Sequence, residues 1–394
     1  MNNTLQKTGR LEVVDALRGF ALLAIVLIHN LEHYNIYHLP EGQPEWLTLL
    51  DRHVWDTTFF LLAGKAFSTF SLLFGFSFFI QLNNQEKRGY DFRGRFAWRL
   101  LLLMLFAEFH SLFYNGDILL LYAVCGFSLL AVCKLSNKAV CIIATFLILQ
   151  PFEWYRMIHA LADPAYKTSI GDIFHIFSAK CSTIVREGNF WEFVQSNITN
   201  GQIYSNCWQV ENGRLFQVPA LFMFGMLLGR LRYFEKSEIS LQFWKKVLIS
   251  FSIIFGVFYG VQTLLTASIE HTSKSFHMAY GIALSSYLNF SLMCVLVSTF
   301  VLFWFHTKNG YRFQRLLIPY GRMSLTNYIT QSIIGCTIYA GYGLGLWKST
   351  GATMTILIGL CIFIVQLYFS RAWLSRFKQG PLEYVWKKLT WIKV

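Results

Sequence analysis

Ten long apolar stretches run through the chain, separated by polar segments. A helix needs about 20 apolar residues to cross a bilayer core, and backbone groups in lipid must be hydrogen-bonded internally. The stretches lack the alternating polarity of barrel strands. The pattern therefore predicts an all-α, polytopic membrane helical bundle with about ten transmembrane helices, roughly at 17–35, 57–82, 97–114, 118–134, 139–159, 214–232, 243–266, 278–305, 323–347 and 353–376.

The segment 160–212 is the one long break in this pattern. Apolar residues recur at helical spacing within 172–196, which predicts one or two amphipathic helices at the membrane surface. The predicted organisation is a five-helix part at 1–159, an extracytoplasmic loop or lid at 160–212, and a second five-helix part at 213–394. Whether the segment only covers helix ends or closes over a pocket stays open. Cys181 and Cys207 share it, and an oxidising compartment would permit their disulfide.

The C-terminal end predicts one more short helix. Pro381 follows Gly380 and suits the first position of a helix. Trp386 and Trp391 alternate with lysines, as is typical of an interfacial helix at the headgroup level.

Charge is sorted between the two faces that the ten stretches define. The face with both termini carries 25 Lys and Arg against 7 Asp and Glu, and the other carries 9 against 14. Because basic loops stay in the cytoplasm, both termini are predicted to be cytoplasmic. A hydrophobic fraction of 55% and a mean hydropathy of +0.43 agree with a membrane protein. The positive charge lies in short loops, so nucleic acid is not an expected partner.

The first apolar stretch carries ionisable residues at both ends. Asp15 and Arg18 are three residues apart and share a helix face. They form either an ion pair that fixes the helix start or a polar entrance for an anionic cytosolic ligand.

His29 and His33 are four residues apart, with Glu32 between them. No third ligand accompanies this pair, so no metal site is predicted. A neutral histidine beside a carboxylate is a usable general base, and the alternative is interfacial histidines bonded to loop carbonyls.

Further polar side chains fall in or beside apolar stretches, where they are costly and usually functional. Lys65 lies within 57–82, and pairing with Glu108 would neutralise both. Asp117 is either an N-cap or a partner for a histidine. Hydrogen-bonding groups near the start of the ninth stretch indicate polar helix packing or a binding face. The remaining candidates are His110, Tyr122, Arg322, Asn327, Tyr328 and Gln331.

The distribution of histidine separates the two faces further. Nine of the ten histidines fall in outer halves of stretches or outer loops, and only His306 lies inside. Histidine titrates near neutral pH, so this clustering favours proton chemistry on the outer side. No phosphate-loop, serine-elbow or cofactor motif occurs, which argues against ATP-driven and serine-hydrolase functions.

Several segments resemble the YeiB family of bacterial inner-membrane proteins. They are RLEVVDALRGFALLAIVLIHN at 10–30, GDILLLYAVCG at 116–126, FMFGMLLGR at 222–230, YGRMSLTNYITQSII at 320–334, GYGLGLW at 341–347 and GPLEYVW at 380–386. The part at about 228–388 resembles the family's conserved domain. The resemblance implies a multi-pass protein of the bacterial cytoplasmic membrane.

The opening motif at Asp15, Arg18 and Gly19 is similar to that of transmembrane acyltransferases of the heparan-glucosaminide acetyltransferase type. This resemblance implies transfer of an acetyl group from cytosolic acyl-CoA, as a donor substrate and not a resident cofactor, to a hydroxyl or amine on an outer glycan or lipid. His29, His33 and His38 compete for the role of base.

The residues suit such a mechanism. Glu32 or Asp117 would orient the base, and basic residues would hold the CoA phosphates. Candidates for the oxyanion are Asn30, Tyr122 and Asn327. The alternative function is transport of a small solute, which could be coupled to protons through Lys65 and Glu108. A sensor or assembly role, and a homodimer, stay open.

Overall fold

The computed structural model describes residues 10–163, 165–268, 272–307 and 310–392, and at 266–268 it describes the backbone alone. His271 lies outside this range. The described residues form α-helices with one π turn and one 3-10 turn, and no strand occurs among them. The helices are α1 Glu12–Leu31, α2 Glu45–Leu62, α3 Lys65–Glu86, α4 Arg93–Ser111, α5 Leu119–Val132, α6 Asn137–Ile148, α7 Pro151–Ala162, α8 Asp172–Glu187, α9 Phe190–Ser196, α10 Gln202–Glu211, α11 Arg214–Arg230, α12 Glu238–Ser268, α13 Lys274–His306, α14 Arg312–Arg322, α15 Ser324–Tyr339, α16 Ala352–Arg376 and α17 Pro381–Thr390.

Helix α1 lies at the centre of the bundle. It is apolar on nearly all sides, as expected for a helix surrounded by protein, and Ala16, Leu17 and Leu22 are fully buried. It packs against α14, α16 and α3. A side chain at Gly19 would collide with the carbonyl group of Leu317, so α1 and α14 approach closely.

The all-helical prediction is confirmed, and each of the ten apolar stretches contains a helix. Fewer helices are long and apolar enough to cross a membrane alone. Within the described residues there are four candidate spans, Glu45–Glu86, Glu238–Leu265, Lys274–His306 and Ala352–Arg376. The α6–α7 pair, bent by 42°, makes a fifth if it is one span. The count of ten and the orientation stay predictions.

Two predicted boundaries are corrected by the backbone. The stretch 57–82 is interrupted at Ala63 and Gly64, because Gly64 has a φ of 77°, in the left-handed region. Lys65 is therefore the first residue of α3 and does not lie inside a continuous helix. Arg322 directly precedes the ninth stretch, but it belongs to a separate helix and ends α14. A basic side chain is favourable there because a helix C-terminus is negative.

The segment 160–212 is compact. Helices α8 and α9 fall within 172–196, which confirms the predicted amphipathic helices, and α10 follows. Asn189 begins α9 with a capping box that it shares with Glu192. Cys181 and Cys207 are both free thiols.

The two ends of the bundle differ in character. At the end that holds both termini, Arg18 donates to Asp15 at 2.8 Å and to Ser77 at 2.6 Å. Helix α17 begins at Pro381, as predicted, and docks on α4, where Arg99 stacks on Trp386 at 3.5 Å. We call this the terminal end. The other end holds the last turns of α1 and the first turns of α3 and α11.

Candidate functional site

A cavity of about 900 Å³ lies at the end of the bundle opposite the terminal end. Its walls come from the last turns of α1, the α2–α3 break, the starts of α10–α11, and parts of α12 and α13. A pocket of this size, mostly apolar with a few converging polar groups, is typical of a ligand site. The polar lining residues used below are His29, Glu32, Lys65, Glu211, Arg214 and Tyr328.

His29 is the predicted base that the structure brings to this cavity. Its Nδ1 lies 3.0 Å from the hydroxyl of the buried Tyr114 and 3.7 Å from a carboxylate oxygen of Glu32. Within the described part of the chain, its Nε2 has no hydrogen-bond partner. An imidazole anchored through one nitrogen leaves the other available to accept a proton.

His33, the competing base, is held elsewhere. It follows the end of α1 and is 1% exposed. Its Nε2 lies 2.8 Å from the carbonyl oxygen and 3.0 Å from the hydroxyl of Thr350. It does not line the cavity. His38, the third competitor, contacts the ring of Trp347 at a centroid distance of 4.8 Å.

Lys65 and Arg214 are the cations of the cavity. Lys65 is 7% exposed, with Nζ 5.7 Å from the ring centre of Phe60. The Arg214 guanidinium lies between the rings of Phe67 and Trp208, at 4.1 and 4.4 Å. Neither makes an ion pair with any acid that the structure describes. Aromatic faces stabilise cations in part, and Glu32 acts on the half-buried Arg214 at longer range, but the buried Lys65 is left without a counter-charge among the described residues.

The structure does not bring Lys65 and Glu108 together. Glu108 accepts a hydrogen bond from Gln202 at 2.7 Å and faces a small separate pocket. The reason is the α2–α3 break, which turns Lys65 toward the main cavity.

A buried histidine–aspartate pair lies beside the cavity. His110 Nδ1 is 2.7 Å from Asp117 Oδ1, and both residues are buried. Asp117 also caps the start of α5 through the Leu120 N–H at 3.3 Å. The His110 ring contacts Tyr328 at a centroid distance of 5.1 Å. Tyr328 lines the cavity, but His110 and Asp117 do not.

The three oxyanion candidates are bonded within the helix bundle. Asn30 donates to the Val26 carbonyl at 2.7 Å and accepts from Tyr339 at 3.0 Å. Tyr122 donates to the Phe67 carbonyl at 2.8 Å. None of the three lines the cavity.

The polar face of α15 joins neighbouring helices. Asn327 donates to the Tyr320 carbonyl and to Ser370, both at 3.0 Å. The Gln331 carbonyl accepts from Tyr34 at 2.9 Å. At the terminal end, Arg322 donates to the Lys378 carbonyl at 2.9 Å. None of these three residues lines the cavity, so the polar-packing alternative fits their placement.

Two cavity residues were missed by the reasoning from sequence. Tyr114 looked like an ordinary aromatic residue at a helix end. Arg214 has a signal in hindsight, because a basic residue at the first position of a long apolar helix opposes the helix dipole. Among the described residues, no group of three His, Cys, Asp or Glu side chains is arranged for a metal ion.

The fold and the cavity define a class, namely an all-helical membrane protein with a mostly apolar cavity that a few polar groups line. Comparison with known proteins then gives the relationship. Residues 228–393 match the family described as "Protein of unknown function (DUF418)". The chain is 27% identical to YxaH of Bacillus subtilis, over 97% of this chain and 94% of that protein. It is 25% identical to YeiB of Escherichia coli, over 96% and 95% respectively.

A third relative, a 39.9 kDa protein encoded in the amylase 3′ region of Bacillus acidopullulyticus, is 24% identical over 97% of this chain. No solved structure matches the chain. The matches extend over nearly the whole length of each relative, and they confirm the predicted resemblance. The chain is similar to YxaH and YeiB over nearly its whole length.

Proposed function

We propose that the protein is a membrane-embedded acyltransferase with His29 as its general base. One observation supports this proposal above the others. His29 is anchored through Nδ1 by Tyr114 and Glu32, while its other ring nitrogen has no partner and the residue lines a large cavity. An oriented imidazole with one free ring nitrogen suits the removal of a proton from a hydroxyl or amine.

In this mechanism the acceptor enters the cavity, and His29 Nε2 takes the proton from its attacking oxygen or nitrogen. The nucleophile forms a bond to the thioester carbon, the carbon–sulfur bond breaks, and the CoA thiolate leaves as the thiol with the proton that His29 had taken. With both termini in the cytoplasm, the cavity faces outward and the acceptor is an envelope glycan or lipid.

The donor route sets a condition on the proposal. On α1 the cavity reaches Ile25, seven residues from Arg18, which is about 10 Å along a helix. Arg18 is paired with Asp15, and α1 is packed on α14 in between. Acyl-CoA bound at the terminal end therefore reaches His29 only when a gap opens beside α1.

The test is transfer of label from radiolabelled acetyl-CoA to envelope glycans and lipids by the purified protein in nanodiscs. We expect His29→Gln to abolish transfer and CoA release. His53→Gln, an exposed histidine on α2 outside the cavity, is the matched control and should keep wild-type activity. Equal transfer by wild type and His29→Gln would refute the role of His29, and no transfer and no CoA release by wild type would refute the function.

Transport of a small solute is the second candidate, because on α1 the cavity extends no further toward the terminal end than Ile25, as in one state of an alternating-access carrier. Proton coupling would then run through Glu32, an acid at the cavity, and not through Glu108. In liposomes with an imposed pH gradient, solute uptake should be lost in Glu32→Gln and kept in Glu108→Gln. The reverse result, or uptake independent of the gradient in wild type, would count against this coupling.

A further inference from the structure

Helices α3 and α11 begin at the cavity after a glycine in the left-handed region, as α8 also does after Gly171. Helix α3 follows Gly64 and α11 follows Gly213, with φ values of 77° and 69°. Neither N-cap residue has a side chain to accept the first N–H groups. The first N–H groups of a helix have no partner within the helix and carry its positive end. Both helices therefore direct an uncapped, positive terminus toward the cavity.

The first residue of each helix is basic, which the helix dipole disfavours. Cations at a helix N-terminus are unfavourable by the same ~0.3–1 kcal/mol that anions gain there. Lys65 opens α3 and Arg214 opens α11, with neither paired to an acid that the structure describes. The arrangement adds positive charge to positive termini in a partly desolvated site, so it is stabilised by a bound anion.

The two helix starts are held together. Arg214 packs on Phe67 of α3 at 4.1 Å. Further along, a side chain at Gly225 would collide with the Leu72 carbonyl, and one at Gly229 would meet the Phe79 ring. The contacts run in the same order on both helices, so α3 and α11 are parallel and their N-termini lie side by side. Gln150 braces α11 by donating to the Gly213 carbonyl at 3.1 Å.

One polar side chain points independently to a missing ligand. Lys65 is 7% exposed, lines the cavity, and its ammonium group has no hydrogen bond or ion pair within the described chain. Buried polar groups are normally satisfied, so Lys65 indicates an acceptor that binds in this cavity.

The acids near the site are engaged elsewhere. Glu211 accepts a hydrogen bond from the Gly171 N–H at 2.9 Å. Glu32 lies beside His29 at 3.7 Å and makes no ion pair with Arg214. The cavity also contains His175 and His277, which add positive charge when protonated.

We propose that the starts of α3 and α11 form an anion site for a phosphate group, with Lys65 and Arg214 as its side-chain ligands. Helix N-termini and basic side chains suit a phosphate, and the apolar lining at Phe59 and Phe60 suits an apolar body attached to it. The phosphate belongs to a lipid headgroup or to a soluble phosphoester. The site goes beyond the proposed acyl transfer and does not depend on it.

The experiment measures binding, without catalysis. Purified full-length protein in zwitterionic nanodiscs is titrated with radiolabelled inorganic pyrophosphate, and in a second arm with phosphatidic acid added to the nanodiscs. Lys65→Gln and Arg214→Gln should each weaken binding at least about tenfold, and the double variant should reduce it to background. Lys65→Arg should restore most of the affinity. Binding of either probe with this pattern supports the site, and the arm that responds identifies the source.

The matched control is Lys348→Gln, an exposed lysine that lies over Trp347 at 5.6 Å and outside the cavity. It should bind like wild type. Thermal unfolding without probe verifies that each variant is folded. His29→Gln should lose acyl transfer and keep phosphate binding, which separates failure of this site from failure of the proposed function. Wild-type protein that binds neither probe, or equal loss in Lys348→Gln, would overturn the anion site.

Discussion

His29 and His33 are one helical turn apart and have different surroundings. His33 is buried and bonded to Thr350, whereas His29 keeps one nitrogen free at the cavity. His33→Ala should destabilise the protein by about 1–3 kcal/mol, because it leaves the buried Thr350 carbonyl without a partner. His29→Gln should destabilise it less, because His29 is half-buried and glutamine keeps a hydrogen-bonding group beside Tyr114. Denaturant unfolding of both variants in detergent measures this difference, and equal destabilisation would contradict it.

The sequence predicted residues better than it predicted their partners. Helical spacing correctly linked His29 with Glu32 and Asp15 with Arg18, because each pair lies on a single helix. It paired Lys65 with Glu108, which belong to different helices, and spacing carries no information on distances between helices. Arg214 was missed for a related reason, since its importance comes from α3 lying beside it.

Glu383 shows how one element fixes another. From α17 it accepts hydrogen bonds from the N–H groups of Leu325 and Thr326, at 2.7 and 3.1 Å, and from the Thr326 hydroxyl at 2.6 Å. It therefore caps the start of α15, 57 residues earlier in the chain. Burial raises the pKa of the Glu383 carboxyl above its ordinary 4.5, against the effect of these hydrogen bonds.

The pH dependence of stability follows from that direction. The folded protein binds the Glu383 proton more readily than the unfolded chain does, so this group's contribution to stability is largest at low pH. It is lost as the pH rises from about 4.5 through the raised pKa. Glu383→Gln should remove this part of the pH dependence, whereas Glu41→Gln, at an exposed site, should not. Unfolding temperatures between pH 4 and 7 measure it, and identical profiles for all three proteins would contradict it.

The break between α2 and α3 was not predictable from hydropathy, because apolar residues continue across it. Gly64→Ala should cost about 1–2 kcal/mol in backbone strain, and more because the new methyl group would collide with Asn289. Gly89→Ala is the matched control. Gly89 has a φ of 81° but no atom near the added carbon, so only the strain remains. Unfolding midpoints compare the two, and an equal or smaller loss at Gly64 would contradict the close contact.

At the scale of the whole molecule, the two ends predict a topology. The basic residues gather with both termini, and the cavity lies at the opposite end. A green fluorescent protein fused to the C-terminus should be fluorescent, and alkaline phosphatase fused there should be inactive. Alkaline phosphatase inserted between α7 and α8 should be active. Active phosphatase at the C-terminus would contradict the orientation and, with it, the outward-facing cavity.

Helix α12 has a further consequence for entry to this cavity. It packs mainly on α13, and side chains such as Ile249 and Ile253 are about two-thirds exposed, at 62% and 63%. Its contact with α2 consists of Phe60 against Phe255 and Tyr259, at centroid distances of 6.0 and 6.3 Å. Helices α3 and α11 are packed closely together, so an opening between the bilayer and the cavity needs only these aromatic rings to separate. The width of the gap between the rings would then set the size of the molecule that enters.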